Sequence, residues 1–301
     1  MQKTLISIIG STGIGKTKLA IEMAKHFGTE IISCDSRQFF KEMKIGTATP
    51  TDEELAQAKH HFIGHLSVQD YYSIGQYEED ALEKIEEIFE KNDFAVLVGG
   101  SMMYEKAVVE GLNDLPEANA ENQEKLQKIL DEEGLEKLQE ILKNLDEEYY
   151  NVVHKENPRR LLRAIDVIWQ TGRKYSEIIA EPKHKRDFKV IRIGITAPRE
   201  IMYERINLRV DKMLEKGLID EVKSLTKYQN LVPLQTVGYT EIFKYLEGTW
   251  DLDFAIEEIK KNSRRYAKRQ ETWNRKVENV TWLPYDYSEE QLHEILSKIE
   301  K

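Results

Sequence analysis

The chain has 301 residues, one cysteine, and 54 acidic against 44 basic side chains, for a formal net charge of −10. That length suits one large domain or two smaller ones with a sizeable core. A lone cysteine excludes an internal disulfide and fits a reducing cytoplasm, no apolar run reaches membrane-spanning length, and the opening MQKTLISIIGS is too short in its apolar part for a secretion signal, so a soluble cytoplasmic protein is expected.

In chain order, TLISII reads as a buried strand, and KTKLAIEMAKHF, a few residues on, has the apolar period of a helix. Between them stands G-x-x-x-x-G-K-T, from Gly10 through Ser11, Thr12, Gly13, Ile14, Gly15 and Lys16 to Thr17. EIISCDS reads as a second strand. A polar stretch follows, then a helix YEEDALEKIEEIFEKN and a third strand FAVLVGGS. Apolar strands separated by helices predict an α/β fold, a P-loop NTPase-like parallel sheet with helices on both faces. From 116 to 186 only helical periodicity is present, as in ENQEKLQKILDEEGLEKLQEILKNL and PRRLLRAIDVIWQTG. KVIRIGITAP then restores a strand, followed by long helices from Arg199 and a short strand-like NVTWLP. The expected organisation is a discontinuous core, 1–115 with 187–301, interrupted by an all-helical insertion at 116–186.

Charge is unevenly spread. Residues 76–93 carry eight acids and two bases, and 114–148 twelve acids and four bases. Residues 154–174 instead carry six Lys/Arg against two acids, and 260–276 eight against one, including Arg264, Arg265 and Arg269. A basic face on an otherwise acidic body points to an anionic partner, the alternative being solvated helix faces.

The glycine spacing is that of a phosphate-binding loop. It lets successive backbone N–H groups converge on one anion, and the following helix N-terminus adds about half a positive charge. Lys16 would reach the outer phosphates, and Thr17 would offer its hydroxyl to Mg²⁺. The carboxyl ends of parallel strands line the ligand crevice, which brings Asp35 and Ser101 toward the same loop. FAVLVGGS ends in Gly-Gly-Ser and is a poor match for the acid that organises Mg²⁺ in ATP-using P-loop proteins. His60 and His61 lack the acid or Cys cluster of a metal site and read as loop packing. Cys34 reads as a small apolar filler, and Trp169, Trp250, Trp273 and Trp282 as packing residues.

GSTGIGKT, IISCDSRQFFKEMKIGTATPT, HHFIGHL, YSIGQYEEDA, VLVGGSMMY, NPRRLLRAIDV, RVDKMLEKGLIDEV, QTVGYTE and RRYAKRQETW occur in this order, between residues 10 and 273. Together they resemble the tRNA dimethylallyltransferases (tRNA isopentenyltransferases) in their bacterial form. The resemblance implies transfer of a dimethylallyl group from dimethylallyl diphosphate to N6 of the adenine 3′-adjacent to the anticodon, with release of pyrophosphate. It implies Asp35 as general base, Ser101 near the base or the diphosphate, and Arg209 as a diphosphate-binding arginine. It also implies tRNA contacts from Asp35, Ser36, Arg37, Gln38 and Ser101, from Arg159, Arg160, Leu161, Leu162 and Arg163, and from Gln235, Thr236, Val237, Gly238, Tyr239 and Thr240. The helical insertion would meet the anticodon stem-loop of the tRNA, and a self-contained cleft needs only a monomer. Thr240 departs from the family's usual Lys or Arg, Phe40 from tyrosine and Thr49 from lysine. Two other readings share the P-loop: a small-molecule kinase holding ATP, and an RNA-binding module with a relic loop.

Overall fold

The computed structural model describes residues 2–300. They form two compact units, one running up to Val109 and resuming at Arg186, the other spanning Glu110–Lys185. Both edges of the insertion thus fall earlier than the expected 116–186. Arg186 belongs to the core because its guanidinium is tied there: Nε donates to Val108 O at 2.8 Å, and NH2 reaches Ala107 O at 2.7 Å and the Glu78 carboxylate.

The core holds one parallel sheet of β1 (Thr4–Gly10), β2 (Ile31–Ser33), β3 (His60–His61), β4 (Phe94–Val98), β5 (Lys189–Thr196) and β6 (Val280–Pro284). Their order across the sheet is β3-β2-β4-β1-β5-β6. Ile6 is opposite Val96 and Ile191, and Ser33 is opposite Val98. Every residue of β1 is buried, as a central strand covered on both faces requires. The pleat divides its side chains: Leu5 packs with Ala95, Leu97, Tyr77 and Val108, while Ile6 and Ile8 pack with Val96, Leu19, Met23 and Ile193. Each fully buried Leu or Ile contributes about 1.5–3 kcal/mol relative to exposure. Ser7, polar at the centre of the strand, donates to Glu105 Oε1 at 2.8 Å, and that carboxylate also takes Arg192 Nε at 3.1 Å.

Several elements were not anticipated, among them β3 and the helix Met102–Glu110. β3 pairs His60 and His61 with Ile31 and Ile32, and His61 Nε2 bonds Glu30, so these histidines serve the sheet edge. The helix Met102–Glu110 follows β4 directly. Among the four tryptophans, Trp169 and Trp282 are 39% and 43% exposed, and the Trp282 ring lies against Gly194 of β5.

In the insertion, the expected helical run from 121 to 145 is two helices, Ala120–Glu133 and Leu135–Leu145, broken at Gly134. Leu126, Leu138, Leu142, Leu161, Leu162 and Ile165 form its core. Asn157 caps the helix Pro158–Thr171, which carries Pro at its first position. Two buried carboxylates pin the helices together. Asp146 accepts from Ser176 N at 2.7 Å and Tyr149 N at 3.0 Å, and Asp166 accepts from Asn122 Nδ2 and Gln170 Nε2, both at 3.0 Å. Among the described residues, no helix is long and apolar enough to cross a membrane.

Candidate active site

β1 delivers the chain into Gly10–Thr17, and the helix Lys16–Phe27 leaves it. Gly13 (φ 75°) and Gly15 (φ 116°) hold left-handed backbone that turns the loop back over the helix N-terminus. Lys16 Nζ donates to Gly10 O at 3.0 Å and to Ser11 O at 2.9 Å. Burial lowers the Lys16 pKa to about 8, the Asp35 carboxylate acting against this shift and Arg209 with it. Two arginines from the helix Arg199–Glu215 lean on the loop. Arg205 Nε donates to Gly13 O at 3.0 Å. Arg209 NH1 donates to Thr12 Oγ1 and its NH2 to Thr47 O, both at 3.0 Å. Burial pulls the Arg209 pKa down while Asp35 holds it up. Arg209, which the resemblance makes a diphosphate-binding arginine, bridges the P-loop to the GTATPT turn.

Asp35 follows the end of β2. Cys34 N donates to Val98 O at 2.8 Å, carrying the strand pairing one residue further. Asp35 Oδ1 accepts from Arg37 N at 3.2 Å, and its carbonyl accepts from Gln38 N at 2.9 Å, which fixes a tight turn. The adjoining Gly-Gly makes this turn possible. A Cβ on Gly99 would lie 2.5 Å from the Cys34 carbonyl carbon and 2.6 Å from Asp35 N. A Cβ on Gly100 would lie 3.0 Å from Asp35 Oδ2. FAVLVGGS therefore lacks a terminal acid because β4 ends by making room for the acid of β2. Ser101 Oγ accepts from Ser36 N at 3.0 Å and bonds Ser36 Oγ at 2.9 Å, so it holds the turn that carries Asp35.

Two clefts meet here. One, about 260 Å³, lies over Gly13, Gly15, Lys16 and Thr17. The other, about 240 Å³, is bounded by Ser36, Arg37, Ser101, Thr236–Gly238 and Ser263, with an apolar wall of Ile206, Val210, Met213 and Ile259. Thr12, Asp35, Arg209 and Tyr266 line both. Tyr266 Oη donates to Gly100 O at 2.8 Å, and burial raises its pKa, with the Asp35 charge adding to the rise.

The residues expected to touch RNA divide. Ser36, Arg37, Thr236, Val237 and Gly238 line the second cleft, and Gln38 lines the first, its Nε2 3.3 Å from Thr47 O and Ala48 O. Thr240 Oγ1 is turned onto Thr236 O at 2.7 Å, and Gln235 is exposed with its Nε2 on Gln229 O at 2.6 Å. In the insertion, Arg159 and Arg160 are exposed at the start of their helix. The other four residues of that set are engaged in packing or internal hydrogen bonds. Leu161 and Leu162 are 0% and 9% exposed, and their side chains pack in the insertion's core. Tyr239 is fully buried, its hydroxyl on Glu221 Oε1 at 2.7 Å, in the carboxylate that also holds Ile45 N and Gly46 N. Arg163 spends its guanidinium on Asp166 and Pro116 O. Sequence reading missed Arg205, Thr47, Ser263, Tyr266 and Gln270. The last two lie inside RRYAKRQETW, where basic charge was the visible signal.

Fold and site together define a P-loop α/β enzyme whose phosphate cradle opens, past a carboxylate, into a second and partly apolar cleft. The IPP transferase family model matches residues 38–277. A tRNA dimethylallyltransferase from Christiangramia forsetii is 50% identical over 300 residues, covering 99% of both chains. Among solved structures, the full-length tRNA isopentenylpyrophosphate transferase of Bacillus halodurans is 36% identical with a TM-score of 0.73, covering 99% of this chain and 96% of its own. A eukaryotic dimethylallyltransferase captured acting on tRNA is 27% identical with a TM-score of 0.84, covering 99% and 78%. The chain belongs to the IPP transferase family, the transferases that prenylate tRNA, and not to the small-molecule kinases.

Proposed function

We propose that the protein transfers a dimethylallyl group from dimethylallyl diphosphate to N6 of the adenine 3′-adjacent to the anticodon, acting as a cytoplasmic monomer on the anticodon stem-loop. The observation that carries this reading is Asp35 on the wall common to both clefts. The diphosphate occupies the P-loop cleft. The extruded adenine enters the cleft of Ser36, Arg37 and Ser263, and the prenyl carbons meet the apolar wall of Ile206, Val210 and Met213.

In the reaction the allylic C1–O bond breaks, C1 bonds to N6, and the N6 proton passes to Asp35 while pyrophosphate leaves. Adenine N6 is a poor nucleophile because its lone pair is delocalised, so base assistance contributes about 10²–10⁴-fold. Negative charge gathers on the leaving diphosphate. Lys16, the backbone amides from Gly13 to Thr17 and the Arg209 guanidinium stabilise that charge more in the transition state than before it. Two of the three N–H groups of the Lys16 ammonium are held by Gly10 O and Ser11 O, which leaves the third for the diphosphate. Ser101 keeps the Asp35 turn in place through Ser36.

No group of three or more His, Cys, Asp or Glu among the described residues could hold a metal ion, whereas Thr17 presents a half-buried hydroxyl on the cleft. That donor set fits Mg²⁺ held by Thr17 and by oxygens of the diphosphate itself, and the ion would supply further charge neutralisation there. The exposed pair Arg159 and Arg160, and the basic face of the helix Leu252–Asn274, support binding of the RNA backbone.

Incubation with labelled dimethylallyl diphosphate, Mg²⁺ and bacterial tRNA tests the reading. Label on N6 of the adenosine 3′ to the anticodon, with one pyrophosphate released per transfer, is the expected result. Unlabelled RNA, or phosphoryl transfer from ATP, overturns it.

A further inference from the structure

The helix Leu252–Asn274 turns most of its charge outward, yet Gln270 near its end is 1% exposed. Its amide joins two segments far away in the chain. Oε1 accepts the Thr12 N–H at 2.8 Å across 258 residues, and Nε2 donates to Gly100 O at 2.8 Å across 170. The orientation of the amide is forced, since Thr12 N is only a donor and Gly100 O only an acceptor. Each end of this bridge leads to a group of the reaction. Thr12 holds Arg209 through its hydroxyl on the phosphate side. On the other side, Gln270 Nε2 and Asp35 Oδ2 crowd the same point, at 3.1 and 3.0 Å from where a Gly100 Cβ would stand. Tyr266, one helical turn before Gln270, donates to the same carbonyl. The bridge also consumes the Thr12 N–H, so the anion-binding amides of the loop begin at Gly13.

We propose that Gln270 is a positioning residue for prenyl transfer: its side-chain amide sets the separation between the phosphate cradle and the Asp35 carboxylate. The inference rests on the reading of Asp35 as the base. A bridge a few tenths of an ångström loose displaces the proton acceptor from the reacting nitrogen while leaving the clefts able to bind, and rate is far more sensitive than affinity to such misplacement. The two hydrogen bonds, one buried and one half-buried, also support the fold, so loss of stability alone would say nothing about this role.

Two variants separate the effects. Gln270→Met keeps the volume and removes both hydrogen bonds. Gln270→Glu keeps the acceptor for Thr12 N, loses the donor to Gly100 O and adds a negative charge beside Asp35. With each variant's folded fraction measured by circular dichroism, single-turnover transfer from dimethylallyl diphosphate to tRNA is expected to slow about 10- to 100-fold in Gln270→Met, with both substrate affinities within about threefold of wild type. In Gln270→Glu the acid limb of the pH–rate profile is expected to move up by about one pH unit or more, as a like charge near a base dictates. A purely structural residue would leave the single-turnover rate of the folded fraction of Gln270→Met at the wild-type value, and the Gln270→Glu profile reports independently that position 270 stands beside the base. A folded Gln270→Met with wild-type single-turnover rate overturns the proposal, as does a Gln270→Glu profile superimposable on wild type. Wild-type protein and Asp35→Ala run in the same assay keep this test distinct from that of the reaction: no wild-type transfer, or an unaffected Asp35→Ala, would count against the parent reading.

Discussion

Over Lys16 the floor of the cleft is made of chain neighbours: the residues from Gly10 to Thr17 supply the turn, the ammonium and the amides, between one strand and one helix, while Gln38, Gly99–Gly100, Arg205 and Arg209 close it from elsewhere in the chain. Over Ser36 the adjoining cleft is made of distant ones. It gathers Asp35–Arg37, Gly46–Thr47, Ser101, the face of the helix Arg199–Glu215, Thr236–Gly238, and Ile259 to Tyr266. The first recognises a chain of phosphates by backbone geometry, which many unrelated proteins share. The second has an apolar wall and convergent polar side chains that no short motif encodes. The contrast teaches that the backbone cradle for a diphosphate is local in sequence, whereas the side chains that complete it and the chemistry done there are assembled by the fold. Asp35 matters because it stands on the wall between the two.

Breaking that shared wall has the largest expected effect. Asp35→Ala is expected to lower kcat at least ~10²-fold while tRNA affinity stays within about threefold, as followed by steady-state transfer and filter binding. Damage confined to the local cleft comes next. Lys16→Ala is expected to weaken donor use roughly tenfold or more with RNA affinity unchanged, because a charge-assisted contact to the leaving group is lost. Acidity sharpens the same distinction more gently. Lys16 has its pKa lowered to about 8, so its charge is present below that pH and is lost as pH rises through it. Since the ammonium form binds diphosphate, donor affinity should be flat below pH 8 and fall at most about tenfold per pH unit above it. Calorimetry near pH 8.5 in buffers of different ionisation enthalpy should register proton uptake on donor binding, and Lys16→Ala should abolish it. The smallest effect is expected in the insertion. Replacing Arg159 and Arg160 by Ala should flatten the salt dependence of tRNA binding by about one to two units of log–log slope. Arg163→Ala should leave the slope alone and lower stability, because its guanidinium holds Asp166 and Pro116 O.

The same contrast governs what could be read from the sequence. The parallel α/β order, the P-loop and Asp35 were legible because apolar strands, glycine spacing and a strand-end acid are local signals. β3 was not, since two half-buried histidines at a sheet edge carry no apolar alternation. A block of contiguous residues also misleads on a helix. Arg159 and Arg160 face out while Leu161 and Leu162, one and two positions on, turn into the core. Tyr239 likewise belonged to a plausible block but is spent on packing and on Glu221. Gln270 was illegible for the opposite reason. It is one polar residue in a charged run, and its partners lie 258 and 170 residues away.

The central claim is that diphosphate and adenine occupy separate clefts that meet at Asp35, and co-binding tests it most directly. Affinity of the wild-type protein for a tRNA substrate is measured with and without saturating pyrophosphate and Mg²⁺. Separate clefts predict that both ligands bind together, with tRNA affinity changed by no more than about threefold and the Lys16→Ala variant indifferent to pyrophosphate. Mutual exclusion of pyrophosphate and tRNA would contradict it.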